Sequence, residues 1–366
     1  MPQIDHTLRT LFEAAVRAEP REHCFATWYE QGRWQQRTYA ETWDRVRTLS
    51  EWFGQHGLRP GASRIALMLP NSPQWVELYL AITGLNGTVV PIDPKLTQSE
   101  VHHILSDSGA ILLATDPAHL PMIARISPAL PDLQRVLITA SSPLPEGMRL
   151  PVDTLEEALH TVGKEMPLRF WNEPAYQPHP DAICGILYTS GTTGKPKGAM
   201  LTHRNFITDA IGSLEIIPLE VTPHDRFLTV LPLFHAFSFT ANFLIAVARH
   251  AQLVYIRSLR TLAEDMRTLR PTILMAVPLM AEKLAGKALF CGGRIVPIAA
   301  KHLRPAHKQF AHTLRIGRMN PCFQPFDCRS YRADITKCRG VERDDRRTFR
   351  KPISLTCRES ETVQSP

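Results

Sequence analysis

The chain is 366 residues long, enough for two or three domains with well-filled apolar cores. Hydrophobic residues make up 44% of it and charged residues 21%, which excludes a chain disordered throughout. Its formal charge of +7 raises a nucleic-acid or membrane-surface role, a question decided by where the charge lies.

The first residues, Met1-Pro2-Gln3-Ile4-Asp5-His6, carry neither the basic segment nor the apolar stretch of a secretory signal. Only Cys24 and Cys184 precede residue 291, and the odd cysteine total gives no disulfide framework. A reduced, cytoplasmic protein is therefore expected. From about residue 64, short β-rich runs alternate with helical stretches. Ile65-Ala66-Leu67-Met68-Leu69 is a compact apolar run stopped by Pro70-Asn71. Ser72-Pro73 then predicts a helix start, serine as N-cap and proline in the first turn. Trp75, Leu78, Tyr79 and Ile82 follow at spacings of three and four and predict one apolar face.

Thr88-Val89-Val90-Pro91-Ile92 predicts the next strand. Thr97-Gln98-Ser99-Glu100 is a capping box for a helix ending near Gly109. On that helix His102 and His103 read as an exposed pair with no metal role. Further apolar runs fall at 110–113, 134–138, 182–189, 227–231, 252–256 and 271–277. Strands apolar on both faces and separated by helices predict an α/β fold with parallel sheets covered by helices. The segments 116–131 and 141–181 read as long surface excursions. The stretch 227–248 holds no Asp, Glu, Lys or Arg and is long enough to span a bilayer. Pro232, His235, Ser238, Thr240 and Asn242 within it favour a buried strand followed by a helix.

The segment with the clearest chemistry is Tyr188-Thr189-Ser190-Gly191-Thr192-Thr193-Gly194-Lys195-Pro196-Lys197-Gly198. It follows a predicted strand and precedes a predicted helix near His203. Glycines let backbone amides approach an anion, hydroxyls donate hydrogen bonds, and lysines supply charge, so the string suits phosphate oxygens. It is neither a Walker loop, since Thr189 stands five residues before Gly194 and Pro196 follows Lys195, nor a dinucleotide fingerprint. A Gly/Ser/Thr/Lys string can also be an ordinary surface loop.

The ordered eleven residues resemble the phosphate-loop signature of the adenylate-forming (AMP-binding) superfamily, which includes acyl-CoA synthetases, luciferases and peptide-synthetase adenylation domains. Other segments are similar to the family in the same order: Leu69-Pro70-Asn71-Ser72-Pro73, then Gly87-Thr88-Val89-Val90-Pro91-Ile92-Asp93-Pro94. Leu231-Pro232-Leu233-Phe234-His235-Ala236-Phe237-Ser238-Phe239 and the segment from Pro271 to Leu284 follow. The resemblance covers roughly residues 10–290. It implies that Thr189, Ser190, Gly191, Thr192, Thr193, Gly194, Lys195 and Lys197 hold the ATP phosphates, with Thr189 the candidate nearest Mg2+. It places His235 beside the carboxylate-substrate pocket, against the alternative of a satisfied core imidazole. Phe234, Phe237, Phe239 and Phe243 read as core, some of them candidates for an acyl tunnel.

The implied activity is an AMP-forming acid–thiol ligase, with a long- or medium-chain fatty acid, ATP and coenzyme A as substrates. Carboxylate attack on the α-phosphorus of MgATP gives an acyl-adenylate and pyrophosphate, and a thiol then displaces AMP. Positioning and charge neutralisation dominate such a reaction. Three other readings stand beside it: adenylation for a carrier-protein thiol, a non-catalytic fragment that binds a partner, and a nucleic-acid binder.

After residue 290 the rhythm stops. Residues 291–366 hold 16 Lys and Arg against 7 Asp and Glu, whereas 1–290 hold 26 against 28. The basic charge belongs to the tail, and the slightly acidic body argues against nucleic acid. The tail also carries Cys291, Cys322, Cys328, Cys338 and Cys357, in no zinc-binding spacing. Three family motifs are missing from 284–366: Tyr-Gly-x-Thr-Glu, the Thr-Gly-Asp that contacts ribose, and a C-terminal domain with its lysine. The sequence thus divides into 1–290, a partial AMP-binding N-terminal domain, and 291–366, a non-family tail expected to be disordered or out of reading frame. A catalytic lysine is not assigned, and the chain is expected to be inactive on its own.

Overall fold

A computed structural model describes residues 6–161, 168–189, 196–216, 220–276 and 312–315. The expectations placed on 190–195, and those on 291–366 apart from 312–315, lie outside the described residues.

The strands are β1 (Cys24–Glu30), β2 (Arg33–Thr38), β3 (Arg64–Met68), β4 (Thr88–Pro91), β5 (Leu112–Thr115), β6 (Arg135–Ile138) and β7 (Val152–Thr154). They continue with β8 (Ile183–Thr189), β9 (Lys197–Thr202), β10 (Arg226–Thr229), β11 (Gln252–Tyr255), β12 (Ile273–Ala276) and β13 (His312–Arg315). Two sheets result. One runs β7-β6-β5-β3-β4-β8-β9 and is parallel except for the β8–β9 hairpin. The other runs β13-β12-β10-β11-β1-β2, parallel in its middle and antiparallel at both margins.

The apolar-on-both-faces pattern explains the layering. In β3, Ile65 and Leu67 join one core cluster while Ala66 and Met68 join another on the opposite face. Side chains alternate along a strand, so a continuous apolar run serves two cores. In the second sheet Phe227, Leu253 and Ile273 point to the first cluster, while Leu228, Val254 and Leu274 meet the helix Leu262–Leu269. Between the sheets lies a helical layer that includes Leu8–Ala18, Tyr39–Gln55, Pro73–Gly84 and His203–Ile216. The outer face of the first sheet is covered by Gln98–Ser108 and Leu120–Ile126.

The helix Pro73–Gly84 starts as its sequence predicts, with the Ser72 hydroxyl accepting from the Trp75 amide at 3.2 Å. It differs in having no polar face, since every residue from Trp75 to Gly84 is buried. A helix enclosed between two sheets has no solvent side to leave polar. Its single charge, Glu77, is met by the guanidinium groups of Arg37 on β2 and Arg45 on the helix Tyr39–Gln55. The capping box at Thr97 and Glu100 forms as expected, and Gly109 (φ 62°) closes that helix in a left-handed turn.

Two surface excursions are corrected. Residues 116–131 contain the helix Leu120–Ile126, whose Leu120, Ile123 and Ile126 are buried, because prolines in the first turns start helices there. Within 141–181, β7 and the helices Leu155–Thr161 and Arg169–Asn172 bring Leu155, Ala158 and Trp171 into the core. The uncharged stretch 227–248 is strand β10 followed by short helical pieces, and no helix among the described residues is long and apolar enough to cross a membrane. Strand β13, paired antiparallel to β12, falls inside the segment where no strand periodicity was read.

Candidate functional site

The phosphate-loop string is held by the β8–β9 hairpin. Ile186 and Leu187 bury the middle of β8, while Thr189 at its carboxyl end is exposed. Ligands of open α/β sheets bind outside the carboxyl ends of strands, which is where this strand opens. Thr189 is paired across the hairpin with Lys197, the first residue of β9, so these two close the mouth of the loop between them. Ser190, Gly191, Thr192, Thr193, Gly194 and Lys195 lie outside the described residues. One step down, Tyr188 faces Gly198. A Cβ at Gly198 would come within 2.7 Å of the Ile186 side chain and 3.1 Å of the Tyr188 ring. The glycine is required there by close packing, since its side would be filled by its own hairpin partner.

Two groups outside the string engage its ends. The Tyr188 hydroxyl donates to Asp107 at 2.6 Å, and burial together with that bond pushes the phenol well above its ordinary range. His103 Nε2 lies 3.0 Å from the Pro196 carbonyl, and its ring meets the Tyr188 ring edge to face at 6.4 Å. His102 and His103 are both half-buried rather than the exposed pair expected, His103 because it packs against this hairpin. No cluster of three His, Cys, Asp or Glu able to hold a metal exists among the described residues.

The second candidate segment begins at the carboxyl end of β10. Asn71, just after β3, donates its amide to the Leu231 carbonyl and accepts from the Leu233 amide, both at 2.8 Å. It thereby ties the ends of two sheets together. Ser238 adds a second donor to the Leu231 carbonyl at 2.8 Å, and Asn242 donates to Ser238 at 3.0 Å. His235 precedes the short helix Ala236–Ser238, its ring tilted against that of Phe234 with centroids 4.5 Å apart. Its side chain is exposed, which removes the core-imidazole alternative. Phe239 and Phe243 are core as expected. Phe237, 39% exposed, is not, because it lies with His235 and Ala236 on an exposed run that ends only at the buried Ser238. Residues 239–244 form a π-helical stretch, a widened turn frequent at functional sites. No hydrogen bond joins His235 to Thr189 or Lys197. The structure supplies two strand ends with their anchors, one in each sheet.

The anchors Asn71, His103 and Asp107 were not singled out as site residues from the sequence. Asn71 lies in a family-like segment, but its partners are 160 and 162 residues away and no local pattern encodes them. His103 and Asp107 carry the only available signal, a spacing of four on one helix face.

The family model of AMP-binding enzymes matches residues 12–322. Among similar curated proteins, a feruloyl-CoA synthase from Amycolatopsis sp. is 28% identical over 282 residues, covering 73% of this chain and 51% of the relative. A long-chain-fatty-acid–CoA ligase, FadD15 of Mycobacterium bovis, is 29% identical over 284 residues, covering 74% of this chain and 44% of the relative. The chain thus spans about half the length of the curated relatives it matches. Among solved structures, an anthranilate CoA ligase in complex with anthranoyl-AMP superposes with a TM-score of 0.64 at 21% identity, covering 74% of this chain and 50% of that one.

Proposed function

This chain belongs to the AMP-binding enzyme family, and on that footing we propose that it is the nucleotide-phosphate-binding part of an AMP-forming acid–thiol ligase. The observation that carries the reading is the β8–β9 hairpin. It presents Thr189 and Lys197 as a closing pair at the carboxyl end of a strand in an otherwise parallel sheet. Ser190, Gly191, Thr192, Thr193, Gly194 and Lys195 complete the proposed phosphate site between that pair. The loop neutralises the departing pyrophosphate, a role that positioned amides and lysines perform without a protein nucleophile. Mg2+ prefers hard oxygen ligands and keeps most of them from phosphate and water. The exposed Thr189 hydroxyl fits as one such oxygen.

His235 is proposed to border the acid substrate. The acid itself is aliphatic or aromatic: the uncharged Phe234–Phe243 stretch supports either, and the relatives include feruloyl-CoA and fatty-acid–CoA enzymes. A fatty acid of long or medium chain remains the preferred substrate, coenzyme A the preferred thiol, and the cytoplasm the proposed location. Nucleic acid is not proposed as a partner, because residues 1–290, which carry the family-like motifs, hold 26 Lys and Arg against 28 Asp and Glu.

We also propose that these 366 residues alone do not complete the reaction, since the adenine, ribose and lysine motifs are missing from 284–366. Charge and periodicity put the end of the family body near 290, while the family match runs on to 322. Translating the other two frames of the coding DNA beyond these positions tests a frame shift, and finding no Tyr-Gly-x-Thr-Glu in any frame would reject it. Purified protein is expected to show no carboxylate-dependent ATP–pyrophosphate exchange, and robust exchange would overturn the inactivity. A panel of aromatic and aliphatic acids, offered to a form carrying the missing motifs, decides the substrate.

A further inference from the structure

The helix Gln98–Ser108 is fixed at both ends. Thr97 and Glu100 cap its start, and Arg64 donates to the Ser108 carbonyl at 2.9 Å next to the left-handed Gly109. Four residues apart on this helix, His103 and Asp107 fall on one face. They reach opposite ends of the same loop: Asp107 accepts from Tyr188, before it, and His103 lies on the Pro196 carbonyl, after it. A carbonyl only accepts, so the Nε2 of His103 carries the proton.

We propose that His103 and Asp107 are positioning residues that clamp the two stems of the 189–197 loop to a rigid helix. The clamp holds the hairpin end that carries the Thr189–Lys197 pair in one place against the helix, ready for an anionic phosphate chain. The fit to a polyphosphate rests on the phosphate-site reading above; the clamp itself does not. Side chains held by a well-capped helix position a loop better than contacts within the loop itself. Tyr188 completes the device, with its ring against His103 and its hydroxyl on Asp107.

The test uses limited trypsin digestion of the full purified chain. Of the two loop lysines, Lys195 precedes Pro196 and resists trypsin, so Lys197–Gly198 is the bond that reports stem opening. His103→Ala and Tyr188→Phe are each expected to raise cleavage there at least about fivefold, with other sites and the unfolding midpoint unchanged. His103→Gln, whose amide N–H can reach the same carbonyl, is expected to restore the slow rate. Tyr188→Phe removes only a hydroxyl and keeps the test valid if the His103 variant fails to fold. Unchanged cleavage at Lys197, or an equal rise at every site, overturns the clamp. A separate arm adds MgATP to the unsubstituted chain. Protection of Lys197 supports the polyphosphate fit, and lack of protection overturns that fit while leaving the clamp to be judged on the variants.

Discussion

At the scale of single residues, His203 shows how burial sets a pH limit. Its Nδ1 accepts from the Leu8 amide at 3.1 Å, and burial pushes the imidazole pKa down to about 3. An unfolded chain would protonate it near pH 6.5. The stabilisation is therefore complete above that pH and is lost as pH falls toward the folded value. The slope is at most about 1.4 kcal/mol per pH unit. Urea midpoints should fall between roughly pH 6.5 and 5, and His203→Asn, which keeps the acceptor and loses the titration, should flatten the decline. Gly198 sets a steric limit. Gly198→Val must displace the Ile186 side chain and the Tyr188 ring, an overpacking cost of about 1–3 kcal/mol measurable by urea denaturation. The same residue was legible in sequence only as the last member of a motif. Its reason, contact with its own hairpin partner, needs the fold.

Elements were legible in proportion to how local their signals are. The Ser72-Pro73 start and the Thr97/Glu100 box both form as written, because each is a hydrogen bond within one turn. The strands from β3 to β12 were readable apart from β7 and β9, since a strand buried on both faces leaves a continuous apolar run. The β1–β2 hairpin was missed: β2 reads Arg-Trp-Gln-Gln-Arg-Thr, polar for a strand because it lies at a sheet margin. The buried Glu77 is likewise explained only by Arg37 and Arg45, from two other elements. Removing one partner of a buried charge group leaves the others desolvated and unpaired, so Glu77→Ala should cost about 3–5 kcal/mol. Arg45→Ala should cost less, because Arg45 is partly exposed and water can replace it. Chemical denaturation of both variants checks the order.

At the scale of the folded body, one hydrophobic cluster takes residues from both sheets and from the helical layer between them. A shared core makes the two sheets one cooperative unit. Far-UV ellipticity and the fluorescence of Trp43, Trp52 and Trp75, all in the middle layer, should therefore report coincident unfolding transitions. Two resolved steps would mean that the sheets unfold separately. The overall α/β class was legible because strand and helix alternate. The division into two sheets was not, since nothing local tells β10 to pair with β11 and β12 rather than extend the first sheet.

The seam between β4 and β8 has a mechanical consequence. The hairpin joins the rest of its sheet through one registered pair, Val89 and Gly185, with the Thr88 and Tyr79 hydroxyls bonded to the carbonyls of Ile183 and Cys184. On its far side, β9 pairs with no other strand among the described residues. Cys184 and Leu187 are nevertheless buried in one core and Ile186 in the other, so the root of the hairpin is seated on both faces of the sheet. The two side chains of the neighbouring helix, Asp107 on Tyr188 and His103 on the Pro196 carbonyl, then act as a second mooring beyond that root, so a load on the far end is shared between sheet and helix.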